Sequence, residues 1–395
     1  MEFGIFVLGH VPKARVERDG DQAEHLALLN EVGLVVAADQ HNWKYAWVSE
    51  HHFLTEYSHL SASDVYLGYC AAKTDRIHLG SGIFSFNPHK DHPARIAERV
   101  AMLDHLSGGR FEFGTGRGAG TIEVTGFDIE STEATRAIWD EVIREIPKMW
   151  RETEYSYRGT SFNIPYPGQA VPTRNVLPKP WNGLHPAMWV AAGNPPTFEK
   201  AAKMGLGTLA FTTRAIPDMA PLIDAYKSNI GDADPVGEYV NDNIMVTTGL
   251  VCLEDGDAAR KAVTEMGIAY LQSLVYYYHD TIPMPEGGSK WPQVMPEPTL
   301  EQVQWQIDEG YLICGNPDEC AEQIGRLQDT HIDQLTFGMP CDLPWDQVLE
   351  TIELFGDRVI PQFDTDPVHR TTRAREAASA KATGKAAVAA AGEAI

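Results

Sequence analysis

Glu50-His51-His52-Phe53 sets a carboxylate, two imidazoles and an aromatic ring directly after the apolar run Tyr45-Ala46-Trp47-Val48. Imidazole changes charge near neutral pH, so a histidine fixed at a strand end can take and return a proton. In a parallel α/β barrel, reacting groups collect at the carboxyl ends of the strands. The other reading is that His51 or His52 is a hydrogen-bonded packing residue, and the tetrapeptide alone leaves both open.

Further stretches pair unusual backbone with polar groups. In Phe111-Glu112-Phe113-Gly114-Thr115-Gly116-Arg117-Gly118-Ala119-Gly120 a strand runs into glycines around one arginine. Gly114, Gly116 and Ala119 fit a relaxed dinucleotide fingerprint, but no apolar-periodic helix follows promptly, which argues against a dinucleotide fold. Glycine lets the backbone approach a flat ligand, and the Arg117 fork then reaches a phosphate or carboxylate. A plain turn with an exposed arginine is the alternative. In Met188-Trp189-Val190-Ala191-Ala192-Gly193-Asn194-Pro195-Pro196-Thr197 a strand ends in small residues before a helix start. Backbone N–H groups there, with Asn194 and Thr197, make either an anion cradle or an ordinary helix cap. Gly80 and Gly82 mark a bulge, a close planar approach or tight packing. Arg136, inside a helix, reads on its own as a surface arginine.

The elements that must position these groups alternate along the chain. Strands are expected at 3–8, 45–49, 77–84, 111–114, 188–192, 207–211, 244–253 and 334–338, with amphipathic helices between them. One long helix is expected at 257–279, with an aromatic end. The rhythm fits a (β/α)8 TIM barrel better than a doubly wound sheet. A tract rich in Pro, Tyr and Asn at 154–181 reads as an extended insertion, and 280–297 as a mobile loop. The barrel domain is expected over 1–363. The tail 364–395, rich in Ala, Lys, Glu and Gly with no core pattern, reads as disordered or loosely helical.

Composition sets the outer bounds. At 395 residues, 43% of them hydrophobic, the chain can bury a large core. A formal charge of −23 excludes a nucleic-acid footprint and disfavours a membrane surface. No run of about 18 apolar residues is present, and the N-terminus enters a strand without a signal-like region. The cysteines Cys70, Cys252, Cys314, Cys320 and Cys341 are odd in number and scattered, which fits reduced thiols in a cytoplasmic protein. Their spacing offers no metal site.

Taken together and in order, these pieces resemble the bacterial luciferase-like superfamily of flavin-dependent monooxygenases, from Met1 to about Phe363. The resemblance rests on the opening Met-x-Phe-Gly-x-Phe, Glu50-His51-His52-Phe53, and His92-Pro93 before the helix that ends Leu103-Asp104-x-Leu106-Ser107-x-Gly109-Arg110-Phe111. It continues through Phe113-Gly114-x-x-Arg117-Gly118, Gly126, Arg136 and Gly315-x-Pro317-x-Glu319-Cys320.

The resemblance implies a (β/α)8 barrel with His51 as the catalytic histidine beside a flavin ring. It puts Arg117 and Arg136 on the flavin phosphate, with Asn194 and Thr197 as further donors and Gly116 beside them. Gly82-Ile83 falls where the family has a non-proline cis peptide under the ring. The implied reaction uses reduced FMN and O2, through a C4a-peroxyflavin, to oxygenate a small, mostly apolar substrate such as an aldehyde or ketone. Reduced flavin would come from a separate flavin reductase, and the chain would be a homodimer. Gly116 stands where light-emitting members carry a reactive cysteine, and Gly193 where they carry a glutamate, which argues against a light-emitting subunit. The alternatives are an F420-dependent hydride-transfer oxidoreductase on the same barrel, or a non-catalytic flavin-binding partner subunit.

Overall fold

The computed structural model describes the chain except Ala119, Thr281, 285–287, 339–342, 393–395 and the side chains of 384–392. Cys341 and part of the expected 280–297 loop therefore lie outside the described residues. Parallel strands close into one barrel: β1 (Glu2–Val7), β2 (Tyr45–Val48), β3 (His78–Ser81), β4 (Phe111–Gly116), β5 (Ala187–Ala191), β6 (Gly207–Ala210), β7 (Ile244–Cys252) and β8 (Gln334–Gly338). Each strand pairs with the next in chain order, and β8 closes on β1 with Glu2 opposite Gln334 and Phe6 opposite Gly338. A short strand, Leu312–Gly315, that the sequence pattern did not announce pairs with the far half of β7. The 154–181 tract contains a two-stranded antiparallel ribbon, Tyr157–Arg158 with Asn163–Ile164.

The alternation of side chains fixes what fills the barrel. Tyr45, Trp47, Ala187, Trp189, Leu209 and Met245 point inward, and Phe6 packs against them. The indoles of Trp47 and Trp189 meet edge to face at 5.1 Å, a favoured aromatic geometry. Gly80 is the position that makes this possible, because a Cβ there would overlap the Trp47 ring. Its role is thus core packing. Outside the barrel, the outward faces of the strands (Phe3, Ile5, Val48, Leu79, Phe113 and Val190) join the helices in one continuous apolar cluster.

The expected 257–279 helix is two helices, Gly256–Glu265 and Ile268–Tyr278. The break falls at Gly267, which adopts φ +69°, a left-handed conformation that glycine takes without steric cost. Among the described residues, no helix is long and apolar enough to cross a membrane.

The chain does not leave the barrel at Phe363. Its continuation turns under the N-terminal ends of the strands and begins a helix, Arg370–Gly392. His369 and Thr371 are buried there. His369 stacks on His78 at 3.7 Å and its Nε2 bonds the Lys44 carbonyl at 2.8 Å. Thr371 Oγ1 donates to Glu112 at 2.5 Å, and Trp189 Nε1 donates to the other Glu112 oxygen at 2.7 Å. Lys44 Nζ pairs with Glu2 at 2.8 Å and with Asp364 at 2.9 Å. This segment is a polar stopper in the N-terminal mouth. The composition of 364–395 hid it because its anchors are hydrogen-bonding residues, which make no apolar period. Burial, the largest influence, pushes Glu112 up to about 8 and drops His78 to about 3, so both are held neutral.

Candidate active site

At the opposite end, the chain leaving β2 runs Ser49, Glu50, His51. Ser49 Oγ donates to the Leu8 carbonyl at 3.0 Å, and His51 N donates to the Leu60 carbonyl at 3.0 Å. The His51 backbone is therefore held from both sides. Its ring is held as well: Nδ1–H donates to Glu123 Oε2 at 3.3 Å. Tyr57 and His279 approach the ring edge to face, with centroids at 5.2 and 5.3 Å. Nε2 of His51 has no partner among the described residues.

Glu123 lies in the six-residue helix Thr121–Gly126 that follows β4, and is only 4% exposed. This residue was not singled out from the sequence. Beside Gly118 and Gly120, a lone acid in a short polar helix looks solvent-exposed until the strand end opposite it is known. Tyr57 and His279 were missed for the same reason. Burial, with the Glu123 charge added, pushes the Tyr57 phenol well up, so it stays protonated.

Glu50, the nearest carboxylate in sequence, does something else. It accepts from Ser63 Oγ at 2.5 Å, pairs with Lys90, and meets His52 Nε2 at 3.5 Å. Burial alone would raise its pKa, but these bonds and the Lys90 charge prevail and hold it at about 2. Glu50 thus ties the end of β2 to its flanking loops as a permanent anion. His52 packs its ring on Phe127 at 4.8 Å. Phe53 adopts φ +64°, a left-handed conformation rare for an aromatic residue, and lies against Phe127 at 5.1 Å. Strain of this kind tends to gather beside functional sites.

Of the remaining expected residues, the structure brings some together and separates others. Arg117, at the end of β4, donates to the Thr132 carbonyl at 3.3 Å and has no ion-pair partner among the described residues. Burial and the nearby positive charge of Arg136 both lower its pKa, so the two arginines share one neighbourhood. Arg136 itself is exposed and paired with Glu133 at 3.0 Å. Gly116 belongs to β4, and a Cβ there would sit 2.6 Å from the Ile83 side chain, so the first reason for this glycine is contact with Ile83.

One expectation is corrected. The cis peptides among the described residues all precede proline, so Gly82-Ile83 is trans. A non-proline cis bond costs about 3 kcal/mol and needs enforcement by its surroundings. Here the Gly82 N–H bonds the Val48 carbonyl at 2.6 Å, and the strand turns without that strain. The helix Pro195–Lys203 follows the end of β5. Asn194 is its cap, accepting from Thr197 N at 3.1 Å and from Thr197 Oγ1 at 2.9 Å. Pro195 and Pro196 carry no N–H at all, so this helix start has few free donors for an anion.

The upper strand ends carry small residues on their inward faces. Continuing the inward alternation past Trp189 and Gly114 reaches Ala191 and Gly116, and past Thr336 reaches Gly338. Ala191 is exposed, whereas Trp189 one layer below is fully buried. Phe6 and Phe211 form an aromatic rim at 6.0 Å. Over the site lies an apolar roof of Leu54, Tyr57, Leu274, Val275 and Tyr278, with Trp291 packed on the Ile268–Tyr278 helix. Trp291 stacks on Tyr277 at 5.6 Å, and Met295 N donates to Ser273 Oγ at 3.1 Å, so the described 288–297 part of the expected loop is docked on that helix.

Known proteins share this fold. The family model described as luciferase-like monooxygenase matches residues 1–334. An uncharacterized protein of Sinorhizobium fredii is 28% identical over 58% of this chain, and the chain spans only 61% of that relative's length. Limonene 1,2-monooxygenase of Rhodococcus erythropolis is 25% identical over 93% of this chain and 87% of its own. Among solved structures, the oxygenating constituent of 3,6-diketocamphane monooxygenase from Pseudomonas putida, in complex with FMN, superposes with a TM-score of 0.70 at 17% identity. It covers 93% of this chain and 99% of its own. The coenzyme F420 dependent tetrahydromethanopterin reductase of Methanopyrus kandleri superposes at 0.64 with 20% identity, over 92% of this chain and 99% of its own. At such identities the structures establish the shared barrel, while the family match covers most of the chain. This protein belongs to the luciferase-like monooxygenase family.

Proposed function

We propose that the chain is the oxygenase component of a two-component flavin-dependent monooxygenase, using reduced FMN and O2 on a small, mostly apolar aldehyde, ketone or similar substrate. The observation that carries this reading is a histidine fixed by three neighbours at a barrel strand end with Nε2 left unpartnered. The residues present fit a flavin. Small side chains at Ala191 and Gly338 leave the upper strand ends without bulk against a flat ring, and Arg117 has no ion-pair carboxylate among the described residues. Arg117 would hold the flavin phosphate, with Arg136 adding positive charge from the rim. Thr197 N and Oγ1 both donate to Asn194 Oδ1 in the cap, so the Asn194 amide NH2 is the donor this helix start would offer the phosphate. When bound, the reduced flavin supplies the electrons that activate O2. His51 Nε2 takes a proton from the substrate side and returns it as product forms. The aromatic roof keeps water from the reacting atoms.

Reduced flavin arriving from a separate reductase fits β4 leading into a helix of only six residues, far shorter than the helix that follows a dinucleotide fingerprint. A homodimer fits the exposed apolar faces of two neighbouring helices, with Val65 and Tyr69 on Ser63–Ala71 and Met102 and Leu106 on Pro93–Leu106. A cytoplasmic location goes with this reading. The test supplies chemically reduced FMN, labelled dioxygen and a panel of aldehydes and ketones to the wild type and to His51→Ala. Label in the product, with kcat about 100-fold lower in the variant, supports the assignment. Equal turnover in both proteins sinks it. Hydride transfer from reduced F420 without oxygen uptake would shift the reading to the deazaflavin alternative.

A further inference from the structure

We propose that Glu123 is the positioning residue of His51, fixing the Nδ1–H tautomer and thereby keeping Nε2 as the proton acceptor. The inference rests on the proposed role of His51 and adds the group that makes that role possible. A neutral imidazole carries its proton on one nitrogen, and which one is set by the bond the other nitrogen makes. Here Nδ1 faces a carboxylate oxygen at 3.3 Å, and a carboxylate can only accept. The pair is enclosed, with the His51 and Glu123 side chains 11% and 5% exposed, so water does not compete freely for either partner. No other hydrogen bond to Glu123 is formed among the described residues.

The geometry around the pair strengthens the case. Tyr57 and His279 also touch each other, at 5.0 Å, and close a ring of three aromatic groups around the imidazole. A rotated His51 would push its edge into one of them. The carboxylate is itself placed by the chain: Thr121 N, at the start of its helix, donates to Asp280 Oδ1 at 3.0 Å. Asp280 directly follows His279, so one connection places both the carboxylate and a flanking ring. Glu50, adjacent in sequence, cannot serve, because Ser63, Lys90 and His52 occupy it.

The test reads the tautomer first and turnover second. Ring 15N NMR of the full-length, cofactor-free protein, with His51→Ala for assignment, should give the Nδ1–H form of His51 in the wild type. Glu123→Leu, which replaces the acid by an apolar group suited to its enclosed site, should move His51 toward the Nε2–H form. It should also lower kcat about tenfold to a hundredfold, a part of the effect of removing a general base, with KM within about twofold. Glu123→Gln, whose amide oxygen can still accept, should restore the tautomer and much of kcat. An unchanged His51 spectrum in Glu123→Leu overturns the proposal. A changed tautomer with unchanged kcat would keep Glu123 as the orienting group and refute the proton role of His51 instead.

Discussion

Arg375→Ala tests whether the C-terminal segment is an integral stopper of the barrel. Arg375 Nη1 and Nη2 donate to the two oxygens of Asp104 at 2.8 and 2.6 Å, and Nη2 also donates to the Trp181 carbonyl at 2.8 Å and to that of Leu184. The Asp104 side chain is 0% exposed and the Arg375 side chain 13%. Truncating the arginine leaves a fully buried carboxylate with the Trp181 N–H, at 2.8 Å, as its remaining backbone donor. Breaking one side of such a pair costs about 3–5 kcal/mol. Unfolding entropy of about 2.1 cal/mol/K per residue gives roughly 0.8 kcal/mol/K for a chain of this length. The expected fall in Tm is therefore about 4–6 °C, read by calorimetry. Asp104→Leu combined with Arg375→Met should recover more than half of it, since the buried charge is then gone. Because the stopper lies at the end away from His51, kcat at room temperature should stay within about twofold. A Tm change below about 1 °C, or a double variant no better than Arg375→Ala, would refute the reasoning.

Three further outcomes follow from the charges and faces described above. Glu50 titrates at about 2 in the fold against an ordinary 4.5, so its stabilisation is full above 4.5 and is lost as pH falls toward 2. That loss is about 3 kcal/mol, and urea midpoints of Glu50→Gln should lack this acid component. Glu112 is shifted the other way, to about 8, so its contribution is present at low pH and disappears as pH rises through that value. Glu112→Gln, whose amide oxygen can accept from Trp189 while its NH2 donates to the Thr371 hydroxyl, should therefore be more stable than the wild type in alkaline urea titrations. Met102→Glu and Leu106→Glu should each convert a sedimenting dimer to monomer while leaving the circular dichroism spectrum unchanged, and a monomeric wild type would remove the homodimer from the proposal.

What the sequence disclosed depended on range. The barrel rhythm, the placing of His51 after β2 and of Arg117 after β4 are local patterns, legible because a strand that ends in polar groups looks unlike one that ends in a turn. At Asn194 the sequence left an anion cradle and a helix cap both open, and the cap became visible only with the bonds from Thr197 N and Oγ1 to Asn194 Oδ1. Glu123 was not legible, because its burial depends on His51, 72 positions earlier. The stopper was less legible still: Thr371 meets Glu112 across 259 positions, and neither residue belongs to an apolar period. The break at Gly267 lay between the two, a lone glycine in a helical pattern that could have been tolerated.

The two mouths of the barrel use buried polar groups in opposite ways, and that contrast is the strongest physical reason to place the chemistry at the β2 and β4 ends. Under the barrel, Glu112 accepts from Thr371 and Trp189 and meets His78, Glu2 accepts from Lys44 and Tyr45, and Asp104 receives both nitrogens of Arg375. Each acid there is answered by several donors, which rigidifies that end. At the upper mouth the answers stop short. His51 uses one nitrogen and leaves the other, Arg117 has only a carbonyl, and Ala191 opens to solvent where Trp189 below is sealed. Acids matched by donors at one mouth, and a histidine and an arginine left short of partners at the other, mark the upper mouth as the place where something else binds. Histidine and arginine are the unfinished pair, and together they ask for a proton to move and an anion to be held.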